Sequence, residues 1–206
     1  MYIWKKGCVF LLTPAWRNQN MTNQSIQKMK DTQTLVLTKG QLFWHYCILI
    51  FFLIPPIMTT IDVFKYYVTH TYRGVRTIGE MATWNYWPLL FAIVFYFVQK
   101  KRLKFKVINI RVNTDTFIQI AQETAKELEW EILERKSNLL VAKSGFNWKS
   151  WGELITIIKD KDRILFNSIC DPDNRPSVAS WGINKVNFKT FEQNIRLKAP
   201  NGGLDS

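Results

Sequence analysis

The sequence predicts an α+β protein: a two-helix transmembrane hairpin, then a two-layer antiparallel β-meander domain with helices on one face, in the order β-α-β-β-β-β-α. Three observations carry that expectation. Two runs, 42–61 and 81–98, are strongly apolar and hold no Lys, Arg, Asp or Glu. Lysine-rich stretches flank them on the same side. From residue 107 onward the apolar residues alternate, then recur at helical spacing, then fall in four short β-like runs separated by turn chemistry. Composition agrees with a folded chain. Of 206 residues 47% are hydrophobic, too many for disorder, and three cysteines are too few for a disulfide scaffold. The mean hydropathy of -0.11 averages two unlike halves.

Residues 1–41 form an N-terminal segment. Its start, MYIWKKGCVFLL, is positive, but the apolar run Cys8 to Leu12 is shorter than a signal-peptide core and Pro14 ends it. The expectation is that translation begins at Met21 or Met29. Next comes LFWHYCILIFFLIPPIMTTI, Leu42 to Ile61, whose 20 residues reach about 30 Å as a helix, the thickness of a bilayer core. Pro55 and Pro56 remove helical donors and predict a bend near Ile54. The second run, Met81 to Val98, has Trp84, Tyr86 and Trp87 before its apolar core, in the manner of an interfacial aromatic belt.

The basic collar 99–106 precedes a domain over 107–197 and a tail, 198–206. Ile108, Ile110 and Val112 alternate as a strand. Asn113, Thr114 and Asp115 supply capping chemistry for a helix with Phe117, Ile118, Ala121, Ala125 and Leu128 inward. Four strand-like runs follow, Trp130 to Arg135, Leu139 to Lys143, Trp151 to Ile158 and Arg163 to Cys170. A last helix places Phe188, Phe191 and Ile195 on one face. The expected core is Trp130, Leu140, Ile155, Ile157, Leu165 and Ile169.

Charge placement decides between partners. The formal net charge is +12. Residues 1–41 carry +5, and Lys100, Lys101, Arg102, Lys104 and Lys106 carry another +5, whereas 107–206 is only +1. A nucleic-acid binder concentrates basic residues on its folded module, so nucleic acid is disfavoured. Basic residues flanking apolar runs set topology instead. Both termini are expected in the cytoplasm, with 62–80 outside, and the bilayer is the first partner.

Few residues carry chemistry. The domain has no histidine, since His45 and His70 lie in or beside the apolar part. Cys8, Cys47 and Cys170 have no metal-ligand spacing, and no phosphate-binding glycine loop occurs. No metal or cofactor is expected, and Cys170 reads as a small packed hydrophobe. The candidate binding loop comprises Trp151, Glu153, Asp171, Asp173, Asn174, Arg175 and Trp181, because the segment 171–183 is longer and more polar than a connection requires. The plainer alternative is Asx-turn chemistry at Asp171-Pro172-Asp173-Asn174 with Asn184 capping the last helix.

SWGE at 150–153, NSICDP at 167–172, SWGINKVN at 180–187, the KGQLFWHY entry at 39–46 and the KKR collar together resemble uncharacterised two-pass bacterial membrane proteins with a C-terminal cytosolic α+β domain. The resemblance runs from about Met29 to Leu197. It implies location in the inner membrane and this architecture, and no catalytic residue. The leading expectation is a membrane-anchored, non-enzymatic interaction or sensor module whose loop meets a partner protein or ligand. A membrane-bound enzyme using Glu153 with Asp171 or Asp173, and a small oligomeric transporter involving His45, Arg73 and Arg76, are the alternatives.

Overall fold

The computed structural model describes residues 21–145, 152–173 and 182–199. Strands β1 (Lys106–Asn109), β2 (Trp130–Lys136), β3 (Leu139–Ser144), β4 (Glu153–Asp160) and β5 (Arg163–Cys170) form one antiparallel sheet in the order β1-β5-β4-β3-β2. Two-residue turns close two of the pairings. Ser137 and Asn138 join Lys136 to Leu139, and Lys161, at φ 54°, helps join Asp160 to Arg163. β1 and β2 end on opposite edges because the helix between them crosses the whole sheet.

That crossing helix, Thr114–Glu127, begins where the capping residues stand: the Asn113 side chain accepts from the Thr116 amide at 2.7 Å. Together with the final helix, Ile183–Lys198, it covers one sheet face. Phe117, Ile120, Ala121 and Ala125 from the first, and Phe191 and Ile195 from the second, pack on Ile108, Leu140, Ala142, Ile155, Ile157, Ile164 and Phe166. The predicted strand ends at Asn109, although Val112 is still buried against this cluster. Asn184 does not cap the last helix. Gly182 stands at the cap position at φ 85°, a conformation that favours glycine, and Asn184 lies in the first turn.

The expectation of two layers is corrected. The opposite sheet face is also covered, by a helix over Asn23–Thr32, which we number α1. Its Ile26 and Met29, with Leu35, Leu103 and Phe105, pack on Leu139, Val141, Leu154, Ile158, Leu165 and Ile169. All six predicted core residues are buried, but Leu165 and Ile169 belong to this second face. The domain therefore has three layers and incorporates chain that the sequence assigns to a separate N-terminal segment. The physical signal is in β4 and β5, whose apolar residues run nearly without alternation, as in strands buried on both faces. α1 is tied at both ends. The Met21 amide donates to the Glu134 carboxylate at 3.0 Å, and Lys30 pairs with Asp160 at 3.6 Å.

The two apolar runs become longer helices than their hydropathy predicts. α2 spans Lys39–Phe64, opened by a capping box between Thr38 and Gln41, and runs through Pro55 and Pro56 into a π-helical turn at Lys65–Thr69. The second run divides into α3 (Ile78–Asn85) and α4 (Trp87–Arg102), with Pro88 in the first turn of α4, where its missing donor costs nothing. The crossing helix of the domain is then α5 and the final helix α6. α2 and α4 run antiparallel. His45 meets Gln99 at one end, Phe52 stacks on Phe95 at 5.3 Å in the middle, and Asn85 donates to Thr59 at the other. Their outer faces, with Phe51 and Phe97 each more than 60% exposed, are left uncovered by the described residues. Two helical stretches, Lys39–Thr69 and Ile78–Arg102, are long and apolar enough to cross a membrane.

Candidate functional site

The predicted site residues divide between opposite faces of the sheet. Successive residues of a strand point to opposite faces, and β4 sets the reference. Glu153 shares the face of Ile155 and Ile157, toward α6, and pairs across the ladder with Cys170. Its backbone is placed by Gly152, at φ 92°, where an added Cβ would meet the Ser144 carbonyl at 3.1 Å. The Glu153 carboxyl is wholly buried. It accepts from the Ser168 hydroxyl at 3.3 Å and lies 3.8 Å from the Cys170 sulfur, while Asn187 of α6 donates to the Ser168 oxygen at 3.2 Å. Burial pushes its pKa from the ordinary 4.5 up to about 7, against the opposing pull of the Ser168 hydrogen bond, Arg102 and Cys170.

Asp171 and Asp173 lie on the other side. Lys143 of β3 shares its face with Leu154, toward α1, and there its ammonium binds Asp171 at 2.8 Å and Asp173 at 2.6 Å. Asp173 also accepts from Gln41 of α2 at 2.7 Å, and its amide donates to the Asp171 side chain at 3.0 Å, an Asx-turn. Burial alone would lower the Lys143 pKa, but hydrogen bonds to the two carboxylates outweigh it and hold it above the ordinary lysine value. Each aspartate is therefore engaged in structure: the pair anchors β3, the end of β5 and the first turn of α2 to one another.

This geometry keeps Glu153 and the two aspartates from acting as paired carboxylates, because the sheet lies between them. Glu153 also has no exposed surface from which to reach a substrate. Trp151, Asn174, Arg175 and Trp181 lie outside the described residues. His45 is buried with its Nε2 at 3.1 Å from the Gln99 carbonyl oxygen, whereas Arg73 and Arg76 lie beyond the far end of α2, roughly 35 Å away at the helical rise. Those three residues form no common path. Among the described residues no group of His, Cys, Asp and Glu is arranged to hold a metal ion.

The candidate loop read from the sequence leaves out Lys143, Gln41, Asn167 and Ser168. The signal was present in the strands themselves: Lys143 ends the otherwise apolar LLVAK, and Asn167-Ser168 interrupts RILFNSIC. A polar residue in a strand buried on both faces requires a partner, so each such interruption marks a specific contact. Asn167 makes two: its amide nitrogen donates to the carbonyls of Arg102 at 2.9 Å and Lys104 at 3.0 Å.

Together with these bonds, the Leu35 amide donates to the Leu103 carbonyl at 2.8 Å, and the Phe105 amide to the Gln33 carbonyl at 2.9 Å. The segments that enter α2 and leave α4 are thus bridged to one another, and both are fastened to the sheet. No family model matches the chain, and no curated protein or solved structure does either, which leaves its own residues to carry the functional reading.

Proposed function

We propose that this chain is a two-pass membrane-anchored interaction or sensor module, with no catalytic centre, whose α+β domain is held against the cytoplasmic face of the bilayer. α2 and the α3–α4 stretch form the transmembrane hairpin, the meander β2 to β5 forms the body of the domain, and both ends of the chain lie in the cytoplasm. The observation that carries this reading is the junction. Two helices whose outer apolar surfaces are uncovered by the described residues end at a cluster of basic residues, and at that level both are hydrogen-bonded to the domain. Apolar surface of that extent is stable in lipid and not in water. The basic ring at the domain end, against the weakly charged connection at the other, supports the cytoplasmic orientation. A tilt or separation of the helices would move Gln41 and the Arg102 carbonyl, and through Asp173 and Asn167 the C-terminal half of β5. Signals would pass between membrane and domain along those two contacts.

Membrane extraction and thiol labelling test the reading. The chain should remain in the pellet after alkaline carbonate treatment. In a background with the native cysteines replaced by serine, V75C should react with an impermeant maleimide on intact cells. K161C should react only after permeabilisation. Release by carbonate, or the reverse labelling pattern, ends the proposal.

A further inference from the structure

Below the apolar run of α4 the chain surrounds a cavity of ≈ 560 Å³ that none of the contacts above occupies. Its cationic wall is Lys101, Arg102, Lys104 and Lys106. No Asp or Glu among the described residues lines it; the buried Glu153 interacts with Arg102, and Glu192 with Lys106. Lys106 stands over the Phe188 ring at 4.2 Å, and burial together with the neighbouring Lys185 holds its ammonium below the ordinary lysine value. Four cations crowded without a facing acid favour an anion.

Two further features narrow the ligand. Val98, the last residue of the apolar run, lines the cavity together with Phe105 and Phe166, so one cavity joins a lipid-level wall to a cationic one. Asn167 also lines it. That side chain is 3% exposed, its nitrogen is committed to the Arg102 and Lys104 carbonyls, and its Oδ1 has no hydrogen-bond partner among the described residues. The two carbonyls fix the amide's orientation, so its unsatisfied end is an acceptor, buried in the cavity wall. A buried acceptor left unmade costs about 1–3 kcal/mol, and the phosphodiester of a lipid headgroup has no proton of its own to donate to it at neutral pH.

We propose that this cavity binds a phosphate-bearing anion with a neighbouring hydroxyl, the chemistry of a polyol phosphodiester, and that its source is the headgroup of an anionic lipid such as phosphatidylglycerol. The phosphate sits on the collar, the hydroxyl donates to Asn167 Oδ1 once the side chains that cover that atom give way, and the acyl chains leave past Val98. The inference rests on the two-pass reading, since the cavity meets headgroups only if α4 spans the bilayer. It gives the anchored module a lipid to sense: the bound headgroup touches the carbonyl-to-Asn167 contact that joins α4 to β5.

The test uses the full chain in nanodiscs of phosphatidylcholine with 20% phosphatidylglycerol, released into the gas phase for native mass spectrometry. Wild type should retain one phosphatidylglycerol in preference to phosphatidylcholine. The triple variant K101Q/K104Q/K106Q should lose that preference at least about tenfold. N167L, which removes the acceptor without changing charge, should reduce retention of phosphatidylglycerol more than that of phosphatidylmethanol, a phosphodiester whose headgroup has no hydroxyl. The charge-matched control K28Q/K126Q/K161Q, remote from the cavity, should bind as wild type does. Equal losses in the two triple variants, or no preference in wild type, overturn the cavity. Competition by 10 mM inorganic phosphate overturns the lipid assignment and makes the ligand a soluble phosphate. Retention of the chain in carbonate-washed membranes without lipid preference sinks only this inference, whereas release by carbonate sinks the anchor reading beneath it.

Discussion

The sharpest energetic consequence of the fold concerns Glu153. A carboxyl whose pKa rises from 4.5 to about 7 on folding binds its proton more tightly in the native state than in the unfolded chain. Below pH 4.5 it is protonated in both states and imposes no penalty. As pH climbs from 4.5 to 7 the unfolded chain has lost the proton and the native state still holds it, so stability falls with pH. Above 7 the full penalty is in place, and a displacement of that size corresponds to roughly 3 kcal/mol. Glu153→Gln keeps the shape and the acceptor for Ser168 while removing the charge. Its extra N–H needs a partner in the Ser168–Asn187 network, which offsets about 1 kcal/mol of the gain. The variant should therefore be about 2 kcal/mol more stable than wild type at pH 8, a rise in Tm of roughly 5 °C, and equal or slightly less stable at pH 5. Thermal unfolding of the detergent-solubilised pair, followed by near-UV circular dichroism across pH 5 to 8, reads both values. Parallel pH profiles for the two proteins, or a lower Tm for the variant at pH 8, would show that Glu153 is not held protonated by burial and would refute the reasoning.

Other consequences can be checked with the same material. Lys143→Met strands Asp171 and Asp173 in a half-buried setting and should destabilise by about 2–4 kcal/mol, with D171N/D173N in the same chain restoring much of the loss; Tm values of the three variants decide it. Met29→Ala removes a wholly buried side chain from the layer under the sheet and should cost about 2–4 kcal/mol, whereas a change under 0.5 kcal/mol would mean that α1 is peripheral to the folded unit. Asn113→Ala deletes the α5 cap and should cost about 1 kcal/mol by the same measure. Ile93→Arg, half-exposed in the middle of α4, should weaken membrane insertion by about 2.5–3.5 kcal/mol, seen as a larger carbonate-soluble fraction.

How far the residues alone lead can be judged element by element. α2 and α4 were visible because long charge-free runs need no tertiary context to be recognised. α5 was visible through the Asn113 cap and the inward Phe117 and Ala121, and β2 to β5 through short strand-like runs bounded by polar turns. These are signals between residues a few positions apart. α1 was hidden for the opposite reason: NQSIQKMKDT is mostly polar, and only Ile26 and Met29 of it reach the core. The continuous apolar character of β4 and β5 announced a second covering layer without saying which part of the chain supplied it.

The candidate loop shows the same boundary more sharply. Its residue types were legible, and Asp171-Pro172-Asp173 does form the turn that such a tripeptide encodes. Which neighbours those side chains meet was not. Lys143 reaches Asp173 across 30 positions, Gln41 across 132, and Asn167 reaches the Arg102 carbonyl across 65. Each contact exists because strand parity sends Glu153 to one face and Lys143 to the other, and because the sheet order brings β5 beside the collar. Helix, strand, cap and long apolar segment arise from local sterics and solvent partition, which the chain carries in neighbouring residues. The separation of the carboxylates, the third layer and the cationic cavity arise only when long loops close, and that closure is a property of the packed whole.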